Sequence, residues 1–243
     1  MPSTSKESGG TPSRRRTRTV DREFHRLDGS SIDVAFMQSW SDQHIVCHNG
    51  FKVLKLPYKV MAVDWSSPDF GKQWETVPKF SMCIFLPDAK EGLWSLVEKM
   101  APSPEFLHVH LPVKSVSVGI VCVPRFKLSF GGSIVNNLKS LGLNLAFDPF
   151  MASMTEMVKE EATEGRMYVD DVIHKAVIEM NEEGSVAAAA VESDDDMGFS
   201  LYDDYEPPKP VDFVADHPFA FFIIEETSGA IVFAGHVLDP SVE

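Results

Sequence analysis

"VDFVADHPFAFFIIEE", Val211 to Glu226, is the stretch that decides the fold. Beyond Pro218 nearly every position is apolar until Glu225, which suits a strand covered on both faces rather than one that alternates. Thr227, Ser228 and Gly229 supply turn chemistry, and "AIVFAGHVLDP", Ala230 to Pro240, supplies a second apolar run. The end of the chain therefore reads as a hairpin, nearly all apolar and covered on both faces. Asp216 and His217 sit side by side before Pro218. Such a pair is suited to acid/base chemistry, but in surroundings this apolar it reads as a hydrogen-bonded turn at a strand start.

Immediately upstream lies "EEGSVAAAAVESDDDMGFSLYDDYEPPKP", Glu182 to Pro210. Small residues come first, then acids, then prolines, and a structureless connection this long inside a folded domain is uncommon unless it is functional or disordered. Asp194, Asp195, Asp196, Asp203, Asp204 and Glu206 offer cation ligands in number. They lack the glycine and glutamate spacing of an EF-hand, so the run reads as a solvated, self-repelling loop.

Further back, apolar alternations recur between turn signals: "SIDVAFM", "HIVC", the turn "HNG", then "FKVLKLPY", predicting consecutive antiparallel strands from Phe24 to Tyr58. In "FKVLKL" both faces are partly apolar. Val60 to Pro78 reads as a loop carrying Trp65 and Trp74, and "KFSMCIFLP" as a buried strand. Leu93, Leu96, Val97 and Met100 recur at helical spacing, predicting a short amphipathic helix that ends by Pro102. "SVSVGIVCVPRFKLSF" predicts two strand segments around a bend at Pro124. "GSIVNNLKSLGL" predicts a helix with Ser133 as N-cap and Gly142 as C-cap. "YVDDVIHKAVIEMNEEG" fits both periods; it is divided into a helical turn near Tyr168 to Ile173 and a strand from Lys175 to Glu182.

The 243 residues are 44% hydrophobic and carry a net charge of -14. Residues 1–22 hold +4 of their own, leaving -18 for the rest. A body this acidic argues against nucleic acid as its partner. "MPSTSKESGGTPSRRRTRTV" is too polar to bury a core, so 1–22 is expected to be a disordered Arg/Ser-rich tail. No run approaches the roughly 18 apolar residues of a membrane span, and no apolar secretory region opens the chain. A cytoplasmic or nuclear location, with no membrane partner, is the expectation, and an extracellular one stays open. Cys47, Cys83 and Cys122 lie far apart with no CxxC pairing, which predicts buried free thiols.

No nucleotide-binding, zinc-protease or nucleophile-elbow motif is present. No catalytic residue, metal site or cofactor is predicted, and the chain does not read as an enzyme. His108 and His110 in "LHVH" share one side if that segment is extended, but no third ligand accompanies them.

The C-terminal residues carry a resemblance. "FVADHPFAFFI", Phe213 to Ile223, is similar to the C-terminal signature of the serpins, the serine protease inhibitor superfamily, with Phe213, Asp216, His217, Pro218 and Phe219 at signature positions. "EEGSVAAAA" resembles the serpin hinge, at Glu182, Glu183, Gly184, Ser185, Ala187, Ala188, Ala189 and Ala190. "NGFKVLKLPY", "FSMCIFLPDAKEGLWSLVEK", "FKLSFG" and "GHVLDP" resemble plant serpins in particular, and the likeness covers about residues 21–243. It implies an α+β fold over 23–243, a partial serpin fold of mostly antiparallel sheets, a few short helices and a long exposed reactive-centre loop at about 184–210. Ala220 and Val186 depart from the family pattern; an alanine in a site shaped for leucine or phenylalanine costs about 2–5 kcal/mol if nothing collapses into it.

The resemblance also implies a mechanism. A serpin offers its loop as bait to a serine or cysteine endopeptidase, and the cleaved loop enters the central sheet as a new strand that distorts the acyl-enzyme. The small residues Ser185 and Ala187 to Ala190 suit that entry, with Gly184 as pivot. Counting from Gly184 places the scissile bond at Gly198 and Phe199, while counting back from Val211 places it at Tyr202 and Asp203. The disagreement of about four residues implies an insertion, and extra slack favours deacylation over trapping. Neither bond carries a basic residue, which argues against trypsin-like proteases. The likeness starts only after the first helices and several central-sheet strands of a serpin, so the chain is expected to lack the N-terminal part, the second neighbour of an inserted loop and the partners of His174. Non-inhibitory behaviour follows; a longer product or a complementing chain would instead keep suicide-substrate inhibition. The acidic loop and basic tail acting as interaction segments form a third reading.

Overall fold

The computed structural model describes residues 18–58, 77–103, 105–152, 167–181 and 209–242. Along them run β1 (Arg18–His25), β2 (Ser31–Ser39), β3 (His44–His48), β4 (Phe51–Pro57), β5 (Phe80–Pro87), α1 (Leu93–Met100), α2 (Phe106–Val109), β6 (Val118–Pro124), β7 (Phe126–Ser133), α3 (Val135–Ser140), β8 (Ile173–Met180), β9 (Val211–Val214), β10 (Phe219–Glu225) and β11 (Ile231–Val237). The expected α+β class, mostly antiparallel with a few short helices, is borne out. The chain divides into two compact units, one of Met1–Phe126 with Met180–Ser241 and one of Lys127–Glu179 with Val242–Glu243.

The first unit holds two sheets. One has the order β11-β10-β5-β4-β3 and is antiparallel throughout, with β10 in the register Phe222↔Cys83 against β5. Its central strands are buried because their sequences are apolar on both faces, as "SMCIFLP" in β5 shows. One face carries α1: Leu93 and Leu96 join Phe51, Val53, Phe85, Ala220 and Ile224 in a single apolar cluster, with Val97 and Met100 packed against it. The other face presents Phe219 and Phe221 to Phe126, at ring separations of 6.0 and 5.7 Å. Gly235 is required by close approach, since a Cβ there would lie 2.6 Å from Phe221 Cζ. Ala220, one of the two expected departures from the family pattern, is buried in the α1 cluster; the other, Val186, lies outside the described residues.

The second sheet has the order β1-β2-β6-β9. β1 and β2 pair from Arg18↔Gln38 to His25↔Ser31. The tail assigned to 1–22 is thus too long, because residues 18–22 are the first half of β1; residues 1–17 lie outside the described residues. Composition argued for a tail, but Val20 and Phe24 fall on one face and Phe24 is fully buried.

In the second unit β7 pairs with β8. The helix after β7 ends as predicted, in a Schellman turn: Gly142 at φ +99 donates to Lys139 O and Leu143 donates to Leu138 O at 3.0 Å. Its N-cap is Ile134 rather than Ser133, although Val135 N still reaches Ser133 Oγ at 3.4 Å. The helical turn predicted near Tyr168 to Ile173 is not formed, and the strand begins at Ile173. Period two wins there, with Ala176, Ile178 and Met180 covered while Ile173, Lys175 and Val177 are exposed.

Three further expectations need correction. The final hairpin is not covered on both faces: β10 is buried, but Ile231, Val232 and Phe233 of the edge strand β11 are exposed. "LHVH" is the one-turn helix α2, not an extended segment, and its rings part company. His108 Nε2 donates to Gly229 O at 2.7 Å, and His110 Nδ1 donates to Phe106 O at 2.7 Å. Of the three cysteines, Cys83 and Cys122 are buried but Cys47 is exposed, facing outward on edge strand β3. The Trp65 and Trp74 loop lies outside the described residues.

Two measurements check this packing. Phe85→Ala, in the cluster under α1, should lower unfolding stability by about 3–5 kcal/mol in a denaturant titration; a loss below about 1 kcal/mol would contradict the core described. With a thiol reagent at pH 8, Cys47 should react at once. Cys83, whose thiol burial pushes up to about 12, should react only on unfolding, and rapid labelling of it in the native protein would count against the sheet.

Candidate functional site

The serpin-like features converge on residues 181–210 and the segments at either end. The hinge residues Glu182 to Ala190 and both candidate bonds, Gly198–Phe199 and Tyr202–Asp203, lie outside the described residues. The anchors at the two ends are described.

The entry anchor is Met180, the last residue of β8. It is only 4% exposed and lines a cavity with Met37, Gln38, Leu56, Val121 and Val123. Its long, unbranched side chain suits such an irregular gap. Here the alternation of β8 delivers a buried side chain just where the acidic, glycine-bearing segment starts.

The exit anchor is β9, parallel to β6 at the edge of the four-stranded sheet. Phe213 is fully buried and pairs with Val121, and Val214 pairs with Cys122. Ala215 N then donates to Cys122 O at 2.9 Å. β9 is therefore fastened to β6 by a backbone ladder, while Met180 shares a cavity lining with Val121 and Val123 of β6.

Asp216, His217 and Pro218 turn the chain from one sheet of this unit into the other. His217 is buried and bonded at both ring nitrogens: Nε2 donates to Pro87 O at 2.7 Å, and Nδ1 lies 2.7 Å from Asp216 Oδ1. His25 N donates to Asp216 O at 2.8 Å, tying β1 to the same corner. The hydrogen bond from His217 holds the Asp216 carboxyl below its ordinary range, against the opposing pull of burial. The sequence reading of this pair as a hydrogen-bonded turn agrees with that geometry. Pro218 then admits Phe219, fully buried, into β10.

His174, in the second unit, rests its ring against Phe130 at 5.8 Å. Among the described residues no group of three or more His, Cys, Asp and Glu is placed to hold a metal ion, and no helix is long and apolar enough to cross a membrane. The sequence reading missed the contributions of β1, Met180 and Asp212. Met180 had a usable signal, the period-two pattern that places it inward with Ala176 and Ile178.

Asp216→Asn tests the corner. It should lower stability at neutral pH by about 1 kcal/mol, the worth of a charge-assisted hydrogen bond discounted for partial exposure. A carboxyl titrating below its unfolded value near 3.8 stabilises above that pH, and the gain is lost as pH falls through the folded value. The gap between thermal melts of the two proteins should hold from pH 7 down to about 3.8 and close as pH falls further; a gap that stays constant below that pH would contradict the assignment.

The family described as Serpin (serine protease inhibitor) matches residues 15–240. The Z5 serpin of Oryza sativa subsp. japonica is 48% identical over 228 residues, covering 92% of this chain and 50% of that protein. Serpin-Z2A from the same organism is 43% identical over 247 residues, covering 93% and 56%. Among solved structures, the native stressed conformation of Arabidopsis AtSerpin1 superposes with a TM-score of 0.71 at 38% identity, over 91% of this chain and 52% of that one. The plant character of the resemblance is thereby supported, and the chain spans about half the length of the relatives it matches. With a match that runs from residue 15 to residue 240 and takes in Phe213 to Phe219, the chain belongs to the serpin family.

Proposed function

We propose that this polypeptide presents residues 184–210 as a protease-directed reactive loop, and that the 243-residue chain by itself is cleaved there without trapping the protease. The observation that carries the second half is β8. Among the described residues it pairs with β7 alone, and Ile173 and Val177 on its outward face are 66% and 61% exposed. An inserted loop needs a strand on each side, since insertion is stabilised by ladder hydrogen bonds to both neighbours. The family's description, serine protease inhibitor, supports a protease as the partner and a role other than catalysis.

Gly184 and the alanines from Ala187 to Ala190 support the loop reading, because small side chains let a strand slip between two others. The lengthened acidic middle supports cleavage over trapping, since slack lets water reach the acyl bond before the loop is drawn in. Acids around both candidate bonds repel proteases with acidic specificity pockets, leaving chymotrypsin-like, elastase-like and papain-like enzymes as partners.

A second reading is favoured by the relatives' length, about twice the matched span. If a longer product or another chain supplies a second neighbour for β8, the same loop acts as a suicide-substrate inhibitor of serine or cysteine endopeptidases. One assay separates the two. The purified chain is mixed with chymotrypsin, elastase and papain and resolved on a denaturing gel. Cleavage between 184 and 210 with no higher band is expected; an SDS-stable covalent complex would overturn the first reading and establish the second.

A further inference from the structure

The pairing of β9 with β6 is interrupted. The register runs Val118↔Val211 and then Val121↔Phe213, so Gly119 and Ile120 together stand opposite the single residue Asp212. This is a bulge, and a bulge leaves one residue of the longer strand outside the ladder. The Asp212 side chain meets it: Ile120 N donates to Asp212 Oδ1 at 3.0 Å. Lys52 Nζ, reaching from β4, donates to Asp212 O at 3.0 Å. Gly119 is where the carboxylate comes closest, since a Cβ built there would lie 2.3 Å from Asp212 Oδ1. A missing side chain, a bulged amide and a lysine from the other sheet thus converge on one residue.

β9 is only four residues long and lies at a sheet edge, so its parallel ladder contributes few bonds of its own. Its flanking bonds are Val211 N to Ser117 O at 3.1 Å and Ala215 N to Cys122 O at 2.9 Å. We infer that Asp212 is a positioning residue that latches the exit leg of the reactive loop to the bulge of β6, so that tension in residues 181–210 stops at Val211. This rests on the loop reading above. It adds a specific device to it: the side chain, not the strand ladder, determines how much of the exit leg follows when the loop is pulled or cut.

Hydrogen exchange on the full chain tests the latch with three variants. Asp212→Ala should speed exchange of the Val211 and Ala215 amides by on the order of tenfold, although their acceptors Ser117 O and Cys122 O are untouched. Asp212→Asn keeps an Oδ1 acceptor for Ile120 N and should stay within about twofold of the parent. Gly119→Ala, which displaces the carboxylate without altering it, should behave as Asp212→Ala does. The amides of Leu54 and Ile84, deep in the other sheet, report that each variant is folded; should Asp212→Ala lose them, Gly119→Ala against Asp212→Asn decides. Parent-like exchange in Asp212→Ala or Gly119→Ala, or an Asp212→Asn as fast as Asp212→Ala, overturns the latch. Failure of chymotrypsin to cut any variant within 184–210 would instead count against the loop reading and leave the exchange result standing.

Discussion

The structure depends on the burial of β10 between β5 and β11. That strand joins the end of the chain to its middle: Phe222 pairs with Cys83 on one side and Ala234 on the other. Phe219, Phe221, Ile223 and Ile224 are all buried, and each such side chain removed from water is worth about 1.5–3 kcal/mol. Because β10 is fixed, the corner before it is fixed, and His217 can bridge Asp216 to the Pro87 carbonyl at the end of β5. The segment from Val211 to Val214 leads directly into that corner.

Against that fixed exit the second unit is sparsely covered. Leu141, Leu145, Phe150 and Met151 are exposed, and α3 buries none of its residues. Among the described residues β8 pairs with β7 alone, and its covered face ends in Met180. The proposal that the chain is cleaved without trapping rests on this contrast between a bonded β9 and a β8 that pairs, among the described residues, with β7 alone.

Much of this was legible in the sequence. β4, β5 and β10 announce themselves as apolar runs between turns, and α1 as an i, i+3, i+4, i+7 stripe, because burial on one or both faces leaves a direct imprint on residue order. The Schellman end at Gly142 was readable for the same reason, since a left-handed residue there favours glycine. β1 was not, because an exposed edge hairpin needs few apolar residues and "RTVDREFH" has the composition of a tail. β11 looked as apolar as its partner, yet its position at the sheet edge leaves it exposed; position in a sheet is a tertiary fact that no single run records. The Asp216 and His217 pair was legible as a turn, while the role of Asp212 depends on a bulge in a strand some ninety residues away, a long-range register that local pattern cannot supply.

Among the described residues β8 has one ladder neighbour, β7. Amide-resolved hydrogen exchange along Ile173 to Ile178 tests it most directly. Alternate amides should be protected by β7, with those between them exchanging at rates close to those of an unstructured chain. Uniform protection along the strand would show a second neighbour in place and contradict the account.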